Sequence, residues 1–153
     1  MNDLPAPATT REPELFGQTV VVIGGSAGIG LETARRARAE GADVILTGRD
    51  HERLEYAATE IGARSVAAFD ATDFVRLGTF FDELPTPIDH VLVTGPGPYY
   101  APLAEFDLEA ARRDVEAHLL LPIQVARDAA KRRSPPRNPR SSRTSRSRPR
   151  QSA

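Results

Sequence analysis

The run Gly24-Gly25-Ser26-Ala27-Gly28-Ile29-Gly30 has the spacing G-x-x-x-G-x-G. Glycine adopts backbone conformations closed to other residues and lets the main chain come close to a ligand. Where such a run joins a strand to a helix, the first helical N–H groups and the helix dipole attract an anion such as a pyrophosphate. The same composition also builds tight turns that bind nothing, so the flanking elements decide the reading. Other chemistries are narrowed by composition. The chain has no cysteine, which excludes disulfides, thiolate metal sites and cysteine nucleophiles. His51, His90 and His118 are well separated and show no metal-ligand spacing.

The flanks are those of an anion-binding loop. Residues 19–23, Thr-Val-Val-Val-Ile, form a β-branched run that reads as a buried strand. Residues 28–40 read as a helix with Gly30, Ala34, Ala37 and Gly41 near one face, small enough for close packing on a sheet. Residues 43–47 give a second strand. Asp50 is a cap for a helix running to about Ile61 and ended by Gly62. Residues 65–69 give a third strand, and Thr72 or Asp73 caps a helix to about Leu84. Residues 88–94 give a fourth strand, followed by the loop Gly95-Pro96-Gly97-Pro98. Asp107 starts a long helix through Ala130, with a kink expected at Pro122. Strands alternating with helices imply a parallel sheet with right-handed crossovers. The expected class is therefore α/β, an incomplete Rossmann-like doubly wound sheet of about four strands in the order 3-2-1-4. The outer edge of the fourth strand is then open and apolar, which invites a second copy and a homo-oligomer.

From about Phe16 to Ala130 the chain resembles the short-chain dehydrogenase/reductase family, whose glycine motif is T-G-x-x-x-G-x-G. Its glycines match Gly24, Gly28 and Gly30, while Ile23 stands in place of the threonine, so one side-chain hydrogen bond to the loop is lost. The resemblance implies a bound NAD or NADP, with Gly24, Ser26, Gly28, Ile29 and Gly30 lining it. A carboxylate at the end of the second strand would favour NAD. This chain has Thr47-Gly48-Arg49 there, with Arg49 19 residues after Gly30. A guanidinium at that place pairs with a 2′-phosphate, which favours NADP; the alternative is a solvated arginine before a helix. Asp70 has two compatible readings, an adenine contact implied by the resemblance and a turn or cap residue. The family's N-N-A-G aligns with Thr94-Gly95-Pro96-Gly97, which keeps the last glycine. Gly95 and Gly97 are then candidates to pass close to the cofactor. His118 stands where the family has an asparagine that supports a proton relay. A partly buried structural histidine is the expected role.

The family reduces carbonyls with a serine and a Y-x-x-x-K pair. Four residues after Tyr56, Tyr99 and Tyr100 come Glu60, Leu103 and Ala104, and Lys131 is the only lysine. No serine lies between Ser65 and Ser134. No catalytic residue is therefore assigned. The expected function is that of a family oxidoreductase, NAD(P)-dependent hydride transfer to or from a carbonyl or alcohol, in a chain inactive by the usual mechanism. The alternative is a non-catalytic dinucleotide-binding or interaction module.

The 153 residues suit one domain with a core, and 40% hydrophobic and 27% charged residues are ordinary for a soluble globular protein. No run approaches the ~18 apolar residues of a transmembrane helix, and the N-terminus lacks the basic flank and apolar stretch of a secretory signal. A cytoplasmic protein without a membrane partner is expected. The net charge of −1 hides a division. Residues 131–153 hold nine basic and no acidic residues, leaving residues 1–130 with 11 basic against 21 acidic. The expected organisation is a flexible segment over 1–15, a partial dinucleotide-binding domain over 16–130 and a disordered Arg/Ser/Pro-rich tail over 131–153. Three readings of the tail stand: out-of-frame translation of GC-rich coding DNA, a linker, or a basic arm for nucleic acid. Arginine outnumbers lysine 19 to one, in keeping with the first. The arm would attract phosphate, but it lacks aromatics for base stacking and the acidic body opposes approach.

Overall fold

A computed structural model describes residues 14–84 and 87–132. Four parallel strands, β1 (Thr19–Ile23), β2 (Asp43–Gly48), β3 (Ser65–Ala68) and β4 (His90–Val93), form one sheet in the order β3-β2-β1-β4. The order and class agree with the expectation. β1 is central because all five of its residues are buried. Its even-numbered side chains, Val20 and Val22, pack with Val44 and Leu46 under α1 (Gly28–Ala39) and α2 (His51–Ile61). Val21 and Ile23 point the other way, with Ile45, against Leu77, Phe80 and Phe81 of α3 (Phe74–Glu83). A strand covered on both faces needs no polar alternation, which is why the sequence reads as a continuous apolar run. Phe80 lies 5.3 Å from both Phe69 and Phe81 in tilted and edge-on contacts. Each such pair contributes about 0.5–1.5 kcal/mol beyond its burial.

Helix boundaries follow local chemistry. Asp50 and Asp73 accept hydrogen bonds from the Arg53 and Arg76 amides, each at 3.0 Å, and so cap α2 and α3. The cap of α3 is Asp73 and not Thr72, whose hydroxyl donates to Asp70 (2.8 Å). Asp107 caps α4 (Leu108–Val115) through the Glu109 amide at 2.8 Å. The single long helix expected from 107 onward is instead α4, a π turn over Glu116–Leu120, and α5 (Leu121–Ala130). Pro122 has no N–H for the His118 carbonyl, and its ring would clash there. The chain widens ahead of it, and the Leu121 amide reaches back to Glu116.

At the two ends of the body, the Leu15 amide donates to the Glu40 carbonyl (3.1 Å) and the Ile88 amide to the Arg132 carbonyl (2.8 Å). Leu15 and Arg132 thus join the body. The expected disorder of the remaining tail, and of residues 1–13, lies outside the described residues. Among the described residues β4 pairs only with β1, and Val91, Leu92 and Val93 on this edge are half-buried.

Candidate functional site

Register brings the site together. Ile23 pairs with Thr47 on one side and with Val93 on the other, so β1, β2 and β4 end level. The chain leaves β1 towards β2 and later returns from β3 to β4 on the opposite side. This reversal opens a crevice at the carboxyl ends of the strands.

The glycine loop is fastened into that crevice. The Gly24 and Gly25 amides both donate to the Thr47 carbonyl, at 3.0 and 2.9 Å. Gly24 has φ +85°, and a Cβ there would lie 2.5 Å from the Thr94 carbonyl oxygen. A Cβ on Gly30 would lie 2.2 Å from the Gly24 carbonyl oxygen. These two glycines let β1, α1 and β4 approach one another. Gly28 differs: its φ is +55°, yet nothing lies within 4 Å of the position a Cβ would take. It faces open space.

Ala27, the residue preceding α1, offers no side-chain cap, and the first turn carries no acidic residue. The Gly28, Ile29 and Gly30 amides have no protein acceptor among the described residues. The orphaned amides, the dipole behind them and the open face at Gly28 fit a phosphate group. Ile29 is exposed beside them. Ser26 is half-buried, its hydroxyl next to Gly48.

Thr94, directly after β4, fastens the glycine loop from the other side. Its hydroxyl lies 3.0 Å from the Gly24 carbonyl and 3.2 Å from that of Ile23, and its single proton is shared between them. The loop support lost with the motif threonine at position 23 is supplied from the neighbouring strand. The only signal in the sequence was a hydroxyl residue ending a strand adjacent to β1.

Arg49 and Asp70 are both exposed, just beyond the ends of β2 and β3. The Asp70 carboxylate accepts from the Thr72 amide at 2.9 Å and from the Thr72 hydroxyl at 2.8 Å. The Thr72 bonds, then the Arg49 charge, hold its pKa below the ordinary carboxylate value. The turn role of Asp70 is thus visible, and Arg49 is near enough to act on it.

Gly95 and Gly97 are exposed on the loop after β4, with open space at both Cβ positions. Gly95 is placed by Thr94 beside the glycine loop. Gly97 shows no contact to it. His118 is exposed, not partly buried as expected. Its Nδ1 lies 3.1 Å from the Asp114 carbonyl and 3.1 Å from Asp114 Oδ1, and its Nε2 lies 3.0 Å from the Pro96 carbonyl. The Pro96 carbonyl first, then Asp114, raises its pKa above the ordinary histidine value. The described residues contain no cluster of side chains able to hold a metal ion. No helix among them is long and apolar enough to cross a membrane.

Comparison with known proteins bears on the same segment. The family model described as short chain dehydrogenase matches residues 18–132. A short-chain dehydrogenase/reductase, ATR9, of Stachybotrys chlorohalonatus is 29% identical over 131 residues, covering 76% of this chain and 51% of that protein. An NADP-dependent (R)-specific alcohol dehydrogenase of Lentilactobacillus kefiri is 41% identical over 71 residues, covering 44% of this chain and 28% of that protein. The crystal structure of a dehydrogenase/reductase from Sinorhizobium meliloti 1021 superposes with a TM-score of 0.73 at 27% identity, over 80% of this chain and 52% of that one. The chain spans about half the length of the first of these relatives and of this solved structure. The matched segment contains the whole described sheet and the loop that closes on it, and the chain belongs to the short-chain dehydrogenase family.

Proposed function

We propose that this chain binds NADP at the carboxyl ends of β1, β2 and β4, as the dinucleotide-binding part of a family oxidoreductase. The observation that carries the reading is the trio of unpaired amides at Gly28, Ile29 and Gly30 beside the open face of Gly28. They receive the pyrophosphate, with Gly24 and Ser26 shaping the turn beneath it. Arg49 pairs with the 2′-phosphate, and Asp70 accepts from the adenine amino group with the carboxylate oxygen its turn leaves free. The loop at Gly95 and Gly97 borders the far side. The NADP dependence of the Lentilactobacillus kefiri relative supports the cofactor choice. NAD is the second cofactor the loop accommodates.

When bound, the dinucleotide supplies or accepts a hydride at its nicotinamide ring, on a carbonyl or alcohol substrate. This chain's residues orient it and hold its phosphates. No serine and no tyrosine–lysine pair of the family type is present to handle the proton, so the chain binds without turning over. A non-catalytic dinucleotide-binding module is the second reading, favoured by that same absence. Titration of the purified chain with NADPH and NADH, followed by nicotinamide fluorescence, tests both. Saturable binding that is tighter for NADPH is expected, with no oxidation of NADPH by added aldehydes or ketones. No binding sinks the site, and turnover sinks the inactivity.

A further inference from the structure

Residues 95–100 are Gly-Pro-Gly-Pro-Tyr-Tyr, without a charged side chain. They are nevertheless tied at two points to one turn of helix. The Pro96 carbonyl is met by His118 Nε2 at 3.0 Å, and the Tyr99 amide donates to Asp114 Oδ1 at 3.0 Å. Asp114 and His118 are themselves joined at 3.1 Å, one turn apart. A third tie lies beyond, where the Asp107 amide donates to the Tyr99 hydroxyl at 2.9 Å.

Both imidazole nitrogens face oxygen acceptors only. A neutral imidazole has one N–H and meets one acceptor; the imidazolium meets both. We propose that Asp114 and His118 form a positioning clamp on the loop over residues 95–100, closed when the imidazole carries both protons and released on the Pro96 side when it loses one. The neutral ring keeps its proton on Nδ1, where a carboxylate and a carbonyl compete for it, and turns a lone pair towards the Pro96 carbonyl.

Asp114 is the charged group that acts on the ring. The facing loop contributes the Pro96 carbonyl; of its two phenols, Tyr99 is engaged by the Asp107 amide and Tyr100 is exposed. A histidine raised by its partners gives its contribution in full below the ordinary value near 6.5 and loses it as pH rises through its folded value. The clamp therefore loosens as pH rises through that folded value, above the ordinary one. It bears on the dinucleotide site only through Gly95 and Gly97, and in that respect rests on the function proposed above.

Nuclear magnetic resonance of the full chain tests the clamp without any ligand. Protection of the Tyr99 amide from hydrogen exchange, corrected for the intrinsic rate, is followed between about pH 6 and pH 8.5, bracketing the ordinary histidine value. The wild type is expected to lose protection about 3- to 10-fold, the worth of one hydrogen bond. His118→Phe is low throughout. His118→Gln, a neutral donor, shows no pH step. Protection independent of pH in the wild type, or retained in His118→Phe, overturns the proposal. NADPH affinity of His118→Phe is a separate arm. If protection falls and affinity does not, the clamp stands and the placement of Gly95 and Gly97 beside the dinucleotide fails.

Discussion

Replacing Gly28 by alanine separates the loop's structural work from its binding work. A non-glycine residue at φ +55° costs about 1–2 kcal/mol of backbone strain. Loss of glycine's unfolded-state freedom returns about 0.4–1 kcal/mol. Nothing lies within 4 Å of the new methyl, so no steric cost is added. The net loss of stability is then about 1 kcal/mol, a small shift of the urea midpoint. Binding responds differently. The methyl occupies the open space in front of the orphaned amides and pushes a phosphate away from one or two of them. Hydrogen bonds to a charged group contribute about 1.5–3 kcal/mol each, so NADPH affinity falls at least about tenfold. Gly30→Ala is the contrasting control. Its methyl would sit 2.2 Å from the Gly24 carbonyl oxygen and 2.8 Å from Thr94 Oγ1, between backbone and a fixed side chain. That variant loses about 3 kcal/mol or more, the upper range for overpacking. The assay is paired: chemical unfolding and NADPH titration on the same preparations. A Gly28→Ala protein that is folded and binds NADPH as tightly as wild type refutes the assignment of the phosphate to this loop.

Arg49→Gln is expected to weaken NADPH about 3- to 10-fold, since an exposed charge pair is screened, and to leave NADH affinity unchanged; equal weakening of both cofactors in the fluorescence titration would remove Arg49 from the 2′-phosphate. Thr94→Val keeps the shape but loses the hydroxyl shared by the Ile23 and Gly24 carbonyls, costing about 1 kcal/mol in urea unfolding. Asp128 is buried on α5, where desolvation raises its pKa but the hydrogen bonds from Gln124 (2.7 Å) and Lys131 (3.0 Å) outweigh it and lower the net value. A carboxylate so lowered stabilises the fold above its ordinary value and loses that contribution as pH falls through its folded value. Unfolding midpoints measured from about pH 5 down to pH 2 should therefore fall less steeply in Asp128→Asn than in the wild type.

What the sequence disclosed depended on how far each signal had to reach. Asp50 and Asp107 announce their helices because a cap acts on an amide two or three residues away. β1 announces itself as buried because residues 20–23, covered on both faces, include no polar member to alternate. The choice between Thr72 and Asp73 needed one further contact, the hold of Asp70 on Thr72. Thr94 and His118 needed much more. The role of Thr94 exists only because β4 lies in parallel register beside β1, which places residue 94 against residues 23 and 24. His118 lies in the π turn ahead of Pro122, and its contact to Pro96 exists only because the loop after β4 passes that turn. By the motif, Ile23 is a lost hydrogen bond and His118 stands in place of an asparagine. In three dimensions Thr94 restores the first, and the second acquires a contact of its own to the loop after β4. The departure at 23 thus falls where a neighbouring strand supplies a hydroxyl, and the one at 118 where a neighbouring loop supplies an acceptor. The glycines, which no neighbour can replace, stay in place: a Cβ on Gly24 or Gly30 would collide with backbone.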